Sequence, residues 1–485
     1  MLKVCGLLVI SFLCSNAVAK QWEELQPLLP KGTQVSYLVV DAKQKDLIAN
    51  YQEETLRTPA SVQKLLTATA AKLYLGKNYR YQTTIEGNRR FIKKGGFSGD
   101  LSFYFTGDPT FTRKNIREML QSLKHLGIRK IQGNVLLNNS HFNGYQWSDG
   151  QAWNDLGVCY TAPSNAIVVN RNCVLGNLSL ANKDDKQATL FIPQYEPVDI
   201  TSQVAVVSKE QKEKQFCALE VTRNSHNTYH LLGCMLPRKR PLPLAFAVND
   251  PETYAQQIVA DELKNLGIKL TGKVLVDNKV RGKSYQSVLV SHQSPELDEL
   301  LNVMMKESDN LIADSLFKTM GGRYFKQQGN FRNGTKAVKA ILKAKGLDLE
   351  NAYIADGSGL SRHNLMSAEL FMSVMQFVYA HDKQLRLLDT FSISGVDGTL
   401  KYHKGVNAKK LKGKVIAKTG SLKGVANLVG VVKSRYGDKL FVLMINGYNK
   451  QNSSIDADIP RDPEASLYLF EKAFFNKIYN FKSKG

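Results

Sequence analysis

The sequence predicts an α+β chain in which two distant stretches form one unit around a long insertion. Three observations carry this reading. β-rich runs stand near the start, at Val35 to Val40 and Leu47 to Ala49, and again near the end, at Val415 to Lys418, Val425 to Val432 and Leu440 to Ile445. Helical patterns lie between and after these runs. The middle also echoes itself: Phe105-Thr106-Gly107-Asp108-Pro109 leads through a helical stretch to Leu126-Gly127-Ile128 and Gly133-Asn134-Val135-Leu136. The same order returns as Phe246-Ala247-Val248-Asn249-Asp250-Pro251, Leu266-Gly267-Ile268 and Gly272-Lys273-Val274-Leu275. Both copies read as turn, helix, glycine stop and strand, which predicts a pair of related α/β layers inserted between two halves of one domain.

The elements follow in order. Asp41 to Lys45 is a polar turn between the first two strands. Thr58 suits an N-cap and Pro59 a first helical position; the helix they open is apolar on most sides, through Leu65, Leu66, Ala68, Ala70 and Leu73. Ser294-Pro295 opens a second helix, with Leu297, Leu300, Leu301 and Met304 on one stripe. Tyr436-Gly437-Asp438 turns the chain between the last two strands. Leu467, Phe470, Phe474, Ile478 and Phe481 make a closing amphipathic helix. We expect it to pack on the terminal sheet; the other reading is an anchor on a membrane surface.

Residues 1–19 read as an export leader. Lys3 precedes the apolar run Gly6 to Leu13, and Ala17-Val18-Ala19 fits a small-residue cleavage site. Phe12 and Leu13 before Cys14 argue against lipid attachment, so the expected mature chain starts at Lys20 in the periplasm. Cys159, Cys173, Cys217 and Cys234 then remain, an even number in an oxidising compartment. They allow three pairings; Cys159 with Cys173 and Cys217 with Cys234 close the shortest loops and are favoured.

The formal charge is +22, a field that attracts polyanions. For an exported chain these are anionic lipid headgroups, acidic wall polymers or lipopolysaccharide, and no nucleic acid partner is expected. The clusters Arg89 to Lys94, Arg238-Lys239-Arg240 and Lys409 to Lys412 read as solvated loops.

Three short patterns carry the chemistry: Ser61-Val62-Gln63-Lys64, Ser308-Asp309-Asn310 and Lys418-Thr419-Gly420-Ser421. Each alone is weak, since Ser315-Leu316-Phe317-Lys318 and Ser225-His226-Asn227 match two of them by chance. Order and context make the set specific. Three residues apart on a helix, Ser61 and Lys64 share a face. A serine hydroxyl needs a base, and a lysine becomes one when burial disfavours its charge. Backbone N–H groups in the first helical turn are free to bind an oxyanion, which suits Ser61; Ser421 is the expected second donor. Ser308 suits a proton relay, and Asn310 a contact with substrate or Lys64. Lys418 and Thr419 on a strand edge suit a substrate carboxylate, with Gly420 allowing close approach. No His-Glu-x-x-His, Gly-x-Ser-x-Gly or phosphate-loop pattern occurs. His226 and His230 do not read as a metal site, and neither a cofactor nor a metal is expected.

The trio, with Gly107-Asp108-Pro109-Thr110, Ala162-Pro163-Ser164-Asn165-Ala166, Pro243 to Ala247, Asp356-Gly357-Ser358-Gly359-Leu360-Ser361-Arg362 and Gly395 to Leu400, resembles the class C, type-4 low-molecular-mass penicillin-binding proteins. These are the S13 serine D-alanyl-D-alanine carboxypeptidase/endopeptidases. The resemblance implies a β-lactamase/transpeptidase-like domain from residues 20–82 and 284–485, with an antiparallel five-stranded sheet flanked by helices. Two smaller domains would fill residues 83–283. It implies cleavage of D-alanyl-D-alanine ends and D-alanyl-diaminopimelyl cross-links of wall stem peptides through a Ser61 acyl-enzyme. β-Lactams would act as covalent inhibitors. It also places Asp155, Tyr160 and Arg362 where some members contact a diaminopimelate side chain. Lys423 departs from the neutral residue usual at its position.

Two other readings compete. A serine β-lactamase or esterase on the same domain would carry a glutamate placed to activate water, and none stands out. A non-catalytic wall-binding protein would have lost part of the trio, which is intact.

Overall fold

The computed structural model describes residues 22–482 apart from 23, 94, 183, 225, 281–286 and 449–466. The expected leader lies outside the described residues. The chain divides into two compact units. The first holds the residues up to Lys77, Asp298–Ala313 and those from Thr335 onward; the second holds Asn78–Leu297 and Asp314–Gly334. Residues 314–334 thus group with the inserted region.

The first unit is built on an antiparallel sheet. Its strands run in the order Leu47–Tyr51, Gln34–Asp41, Gly437–Asn446, Val425–Ser434, Val415–Leu422 and Ser392–Ile393. The first five are those read from the sequence. The sixth corrects the five-stranded expectation: it has two residues, too few for any sequence pattern, and pairs Ser392 with Ala417 and Ile393 with Ile416. Beyond Ala417 it leaves the outer edge of the Lys418 strand uncovered.

The central strand Gly437–Asn446 is apolar without alternation because both its faces are covered. Phe441, Leu443 and Ile445 join a core with Phe470, Phe474, Phe475 and Ile478 of the helix Leu467–Asn480. Leu440, Val442 and Met444 are equally buried, on the side of the helix Ala368–Ala380. Trp22 meets Phe474 edge to face at 5.5 Å. The apolar stripe of the closing helix is therefore occupied by the sheet, each buried phenylalanine contributing about 2 kcal/mol.

In the second unit the internal echo becomes geometry. Val135–Asn138 and Val274–Asp277 lie side by side and parallel, Val135 opposite Val274 and Leu136 opposite Leu275. They belong to one five-stranded sheet, not to two layers as expected. The preceding helices, Arg113–His125 and Pro251–Asn265, share one core through Met119, Leu120, Ile258 and Leu263. Glu262 of the second helix binds Arg113 and Arg117 of the first at 2.6 Å each. Two copies of strand and helix bury more apolar surface joined edge to edge than stacked apart.

A second core in this unit gathers Leu178, Val204, Tyr229, Leu231, Met235 and Phe246. Both disulfides lie at its margin: Cys159 pairs with Cys173 and Cys217 with Cys234, with Cα separations of 5.3 and 5.8 Å. His226 sits in a turn and His230 on the strand Thr228–Leu232.

Candidate active site

Ser61 and Lys64 stand where a short 3-10 turn, Ala60–Gln63, runs into the helix Lys64–Tyr74. The sequence expectation for this start needs correction. Thr58 does not cap it, and the turn begins after Pro59 with Ala60 at φ +49°, a conformation costly for a residue with a Cβ. Two asparagines from the sheet hold the bend instead. Asn446 accepts from the N–H of Thr58, and the Asn427 amide donates to the carbonyls of Thr58 and Pro59. Asn427 is buried in the otherwise apolar run Val425 to Val432. That lone polar residue was the available sequence signal, and it was missed.

Gly420 has a task beyond the one expected. A Cβ there would lie 2.7 Å from the Pro59 carbonyl oxygen, 2.9 Å from the Val62 nitrogen and 3.1 Å from the Ser61 nitrogen. The glycine lets the Ser61 turn press against the Lys418 strand. Ser61 and the strand Lys418 to Ser421 are thereby neighbours. The Ser61 N–H lies in the first turn, where intrahelical carbonyls are lacking.

Lys64 is fully buried. Its Nζ lies 2.9 Å from Ser61 Oγ, 2.5 Å from Asn310 Oδ1 and 2.6 Å from the Ser358 carbonyl. Asn310 Oδ1 and the carbonyl can only accept. Ser61 Oγ thus lies within proton-transfer reach of a lysine amine held on its other sides by two acceptors, the geometry a general base requires.

Ser358 was part of a quoted motif, but a backbone carbonyl has no signature in sequence. The loop that carries it is stapled to the helix: Gln63 and Thr67 donate to the carbonyls of Asp356 and Gly357. Inside the loop, the Asp356 carboxylate accepts from the N–H groups of Gly359 and Ser361 and from the Asn364 amide.

The second motif sits between the helices Leu297–Lys306 and Asn310–Phe325. Asp309 accepts from the Ile312 N–H and so caps the second helix. Asn310 then starts the helix facing Lys64. Ser308 takes φ +61°, and its hydroxyl lies 2.9 Å from Lys418 Nζ. Lys418 also donates to the Thr419 carbonyl at 2.8 Å. Burial holds the Lys418 amine well below the usual lysine range, and the charge of Lys64 pushes it the same way. Thr419 Oγ1 meets Thr399 Oγ1 at 2.8 Å, and Thr399 meets the Ser392 hydroxyl. Thr399 belongs to a quoted motif but had no assigned part.

Direct contacts therefore join Ser61, Lys64 and Asn310 in one group and Ser308, Lys418 and Thr419 in another. Arg362, in the same unit, clamps the carbonyl of Lys423 with both terminal nitrogens at 3.2 Å. Asp155 and Tyr160 belong to the other unit. Asp155 ends a short 3-10 turn, and its carbonyl accepts from Thr161; Tyr160 is half-exposed. Ser315 of the chance match is buried inside its helix. Among the described residues, no group of three or more His, Cys, Asp or Glu side chains is placed to hold a metal.

A serine paired with a buried lysine, held on a helix start against a strand edge in an α+β fold, defines a serine hydrolase of the transpeptidase-like class. The chain belongs to the D-Ala-D-Ala carboxypeptidase 3 (S13) family of peptidases, whose sequence profile matches residues 17–464. It is 37% identical to the D-alanyl-D-alanine carboxypeptidase DacB of Haemophilus influenzae, over 98% of this chain and 97% of that one. A D-alanyl-D-alanine carboxypeptidase of Actinomadura sp. is 25% identical, over 81% of this chain and 73% of that protein. The crystal structure of penicillin binding protein 4 from Haemophilus influenzae superposes with a TM-score of 0.87 at 37% identity, covering 95% of this chain and 99% of that chain.

Proposed function

We propose that the chain is a periplasmic serine DD-peptidase that trims D-alanyl-D-alanine ends and opens D-alanyl-diaminopimelyl cross-links through a Ser61 acyl-enzyme. The observation that carries this reading is the placement of the buried Lys64 Nζ between Asn310 Oδ1, the Ser358 carbonyl and Ser61 Oγ. Ser61 Oγ attacks the penultimate D-alanyl carbonyl as its proton passes to Lys64. The N–H groups of Ser61 and Ser421 hold the oxyanion. The Ser308 hydroxyl, fixed by Lys418, relays the proton to the departing amine as the peptide C–N bond breaks. Water then attacks the ester along the same proton path, releasing the peptide and restoring Ser61.

Lys418 and Thr419 receive the terminal carboxylate. A desolvated amine with weakened hold on its proton gains most from an incoming anion. Arg362 and the Lys423 segment it grips select the side chain before the scissile bond. β-Lactams present a strained amide to Ser61 and remain as slowly cleaved esters. The +22 charge supports peripheral attachment to anionic membrane or wall polymer; among the described residues no helix is long and apolar enough to cross a membrane. Equal liposome binding at low and high salt would count against that attachment.

The test of function is digestion of purified wall sacculi. Wild type releases D-alanine and converts cross-linked dimers to monomers, and Ser61→Ala does neither. Intact dimers after complete loss of terminal D-alanine would remove the endopeptidase half of the proposal.

A further inference from the structure

The second unit contains a polar cavity of about 320 Å³ that the serine chemistry does not use. Lys318, the lysine of the chance Ser-x-x-Lys match, lines it and is 1% exposed. Its Nζ donates to the carbonyls of Tyr145 at 2.9 Å and Ser164 at 2.6 Å. The ring of Phe331 lies 4.3 Å away, a contact that favours the charged amine. Burial pulls this amine down to about 7, with Asp314 only partly opposing.

Glu252 also lines the cavity. Its Oε1 accepts from Asn139 at 2.7 Å and Asn165 at 3.1 Å. Ser164 and Asn165 are adjacent, so the cation and the carboxylate flank the same dipeptide, and no ion pair joins them. Two further lining groups, Ser164 Oγ and Gln146 Oε1, are buried without hydrogen-bond partners. Ser164 is 2% exposed. Leaving such a group unpaired is unfavourable, and a ligand would remove that cost. The cavity thus offers an amine that a bound carboxylate would keep protonated, a hydroxyl, an acceptor and a carboxylate within one small volume.

We propose that this cavity binds a small zwitterion, an amino acid whose carboxylate rests on Lys318 and Ser164 Oγ and whose ammonium rests on Glu252. A neutral sugar would use the amides but would need neither charge. An anion alone would leave Glu252 opposed to it. Free amino acids and the zwitterionic end of a diaminopimelyl peptide share this chemistry. The site does not rest on the function proposed for Ser61.

The test is calorimetric titration of the full mature chain with D-alanine, L-alanine and meso-diaminopimelate, alongside N-acetylalanine and alaninamide. At least one zwitterion should bind saturably below about 10 mM, while the two derivatives lacking one charge bind about tenfold or more weakly. Glu252→Gln and Ser164→Ala should each weaken the zwitterion about tenfold, and Ser61→Ala should leave it unchanged. Which zwitterion binds distinguishes a released amino acid from a peptide end. Melting curves establish that Ser164→Ala, the mildest change, is folded. No saturable binding up to about 50 mM would overturn the proposal. So would equal affinity for N-acetylalanine, loss of binding in Ser61→Ala, or unchanged affinity in Glu252→Gln and Ser164→Ala.

Discussion

Asn310 Oδ1 lies 2.5 Å from Lys64 Nζ, although 246 residues separate the two in the chain. With the Ser358 carbonyl, this contact holds the lysine amine against Ser61 Oγ. Asn310→Asp tests that logic. A carboxylate at this distance favours the charged amine, so acylation at neutral pH should fall about 100-fold. It should recover as pH rises and the amine loses its proton. Stopped-flow acylation by a chromogenic cephalosporin across pH measures this; a pH-independent rate equal to wild type would contradict it.

Gly420→Ala probes the seam between the strand and the Ser61 turn. The new Cβ meets the Pro59 carbonyl and the Val62 and Ser61 nitrogens within about 3 Å, all backbone atoms that cannot swing aside. The turn must shift, and a displacement near 1 Å costs on the order of 100-fold in rate. The stability cost should stay at about 1–3 kcal/mol. A parallel melting curve separates misplacement from unfolding.

Lys318 makes stability depend on pH. Its folded-state amine sits at about 7 against 10.5 for the ordinary side chain. Between these values the unfolded chain holds the proton and the folded chain does not, so stability rises with pH. Relative to Lys318→Met, wild type should therefore gain about 3 kcal/mol between about pH 7 and pH 9. Paired urea titrations at the two pH values measure it, and a constant difference would contradict the shift.

His403 and Glu471 tie the closing helix to the loop before the Lys418 strand, 2.8 Å apart. Burial alone would lower the histidine, but the hydrogen bond and charge of Glu471 outweigh it and raise it. Its contribution is complete below the ordinary histidine value and fades as pH rises through the folded value. His403→Ala should cost about 3 kcal/mol near pH 5.5, because it strands a buried carboxylate, and less near pH 8.5. Denaturant unfolding at both pH values reads the difference.

Much of the site was legible because its chemistry needs particular side chains at helical and strand spacings. Ser61, Lys64, Ser308 and Lys418 are of that kind, and so are the strands of the echo, whose glycines and apolar runs repeat. What stayed hidden acts through backbone or distance. The Ser358 carbonyl has no residue identity. Asn427 and Asn446 replace the Thr58 cap from strands about 370 to 390 residues away. The positive φ of Ala60 and Ser308 runs against local preference. Gly420 was recognised, but its packing against the Ser61 turn was not, since sequence does not reveal which backbone comes close. Residues 314–334 grouped with the insertion, where Lys318 donates to the carbonyls of Tyr145 and Ser164, contacts no periodicity announces.

The most direct measurement is intact mass spectrometry of the mature protein after incubation with benzylpenicillin, with Ser61→Ala alongside. A lasting single adduct on wild type, mapped to the Ser61 peptide and absent from the variant, is the predicted result. Rapid hydrolysis of the drug without an adduct, or an adduct that persists in Ser61→Ala, would contradict the assignment of Ser61 as the nucleophile of a peptidase.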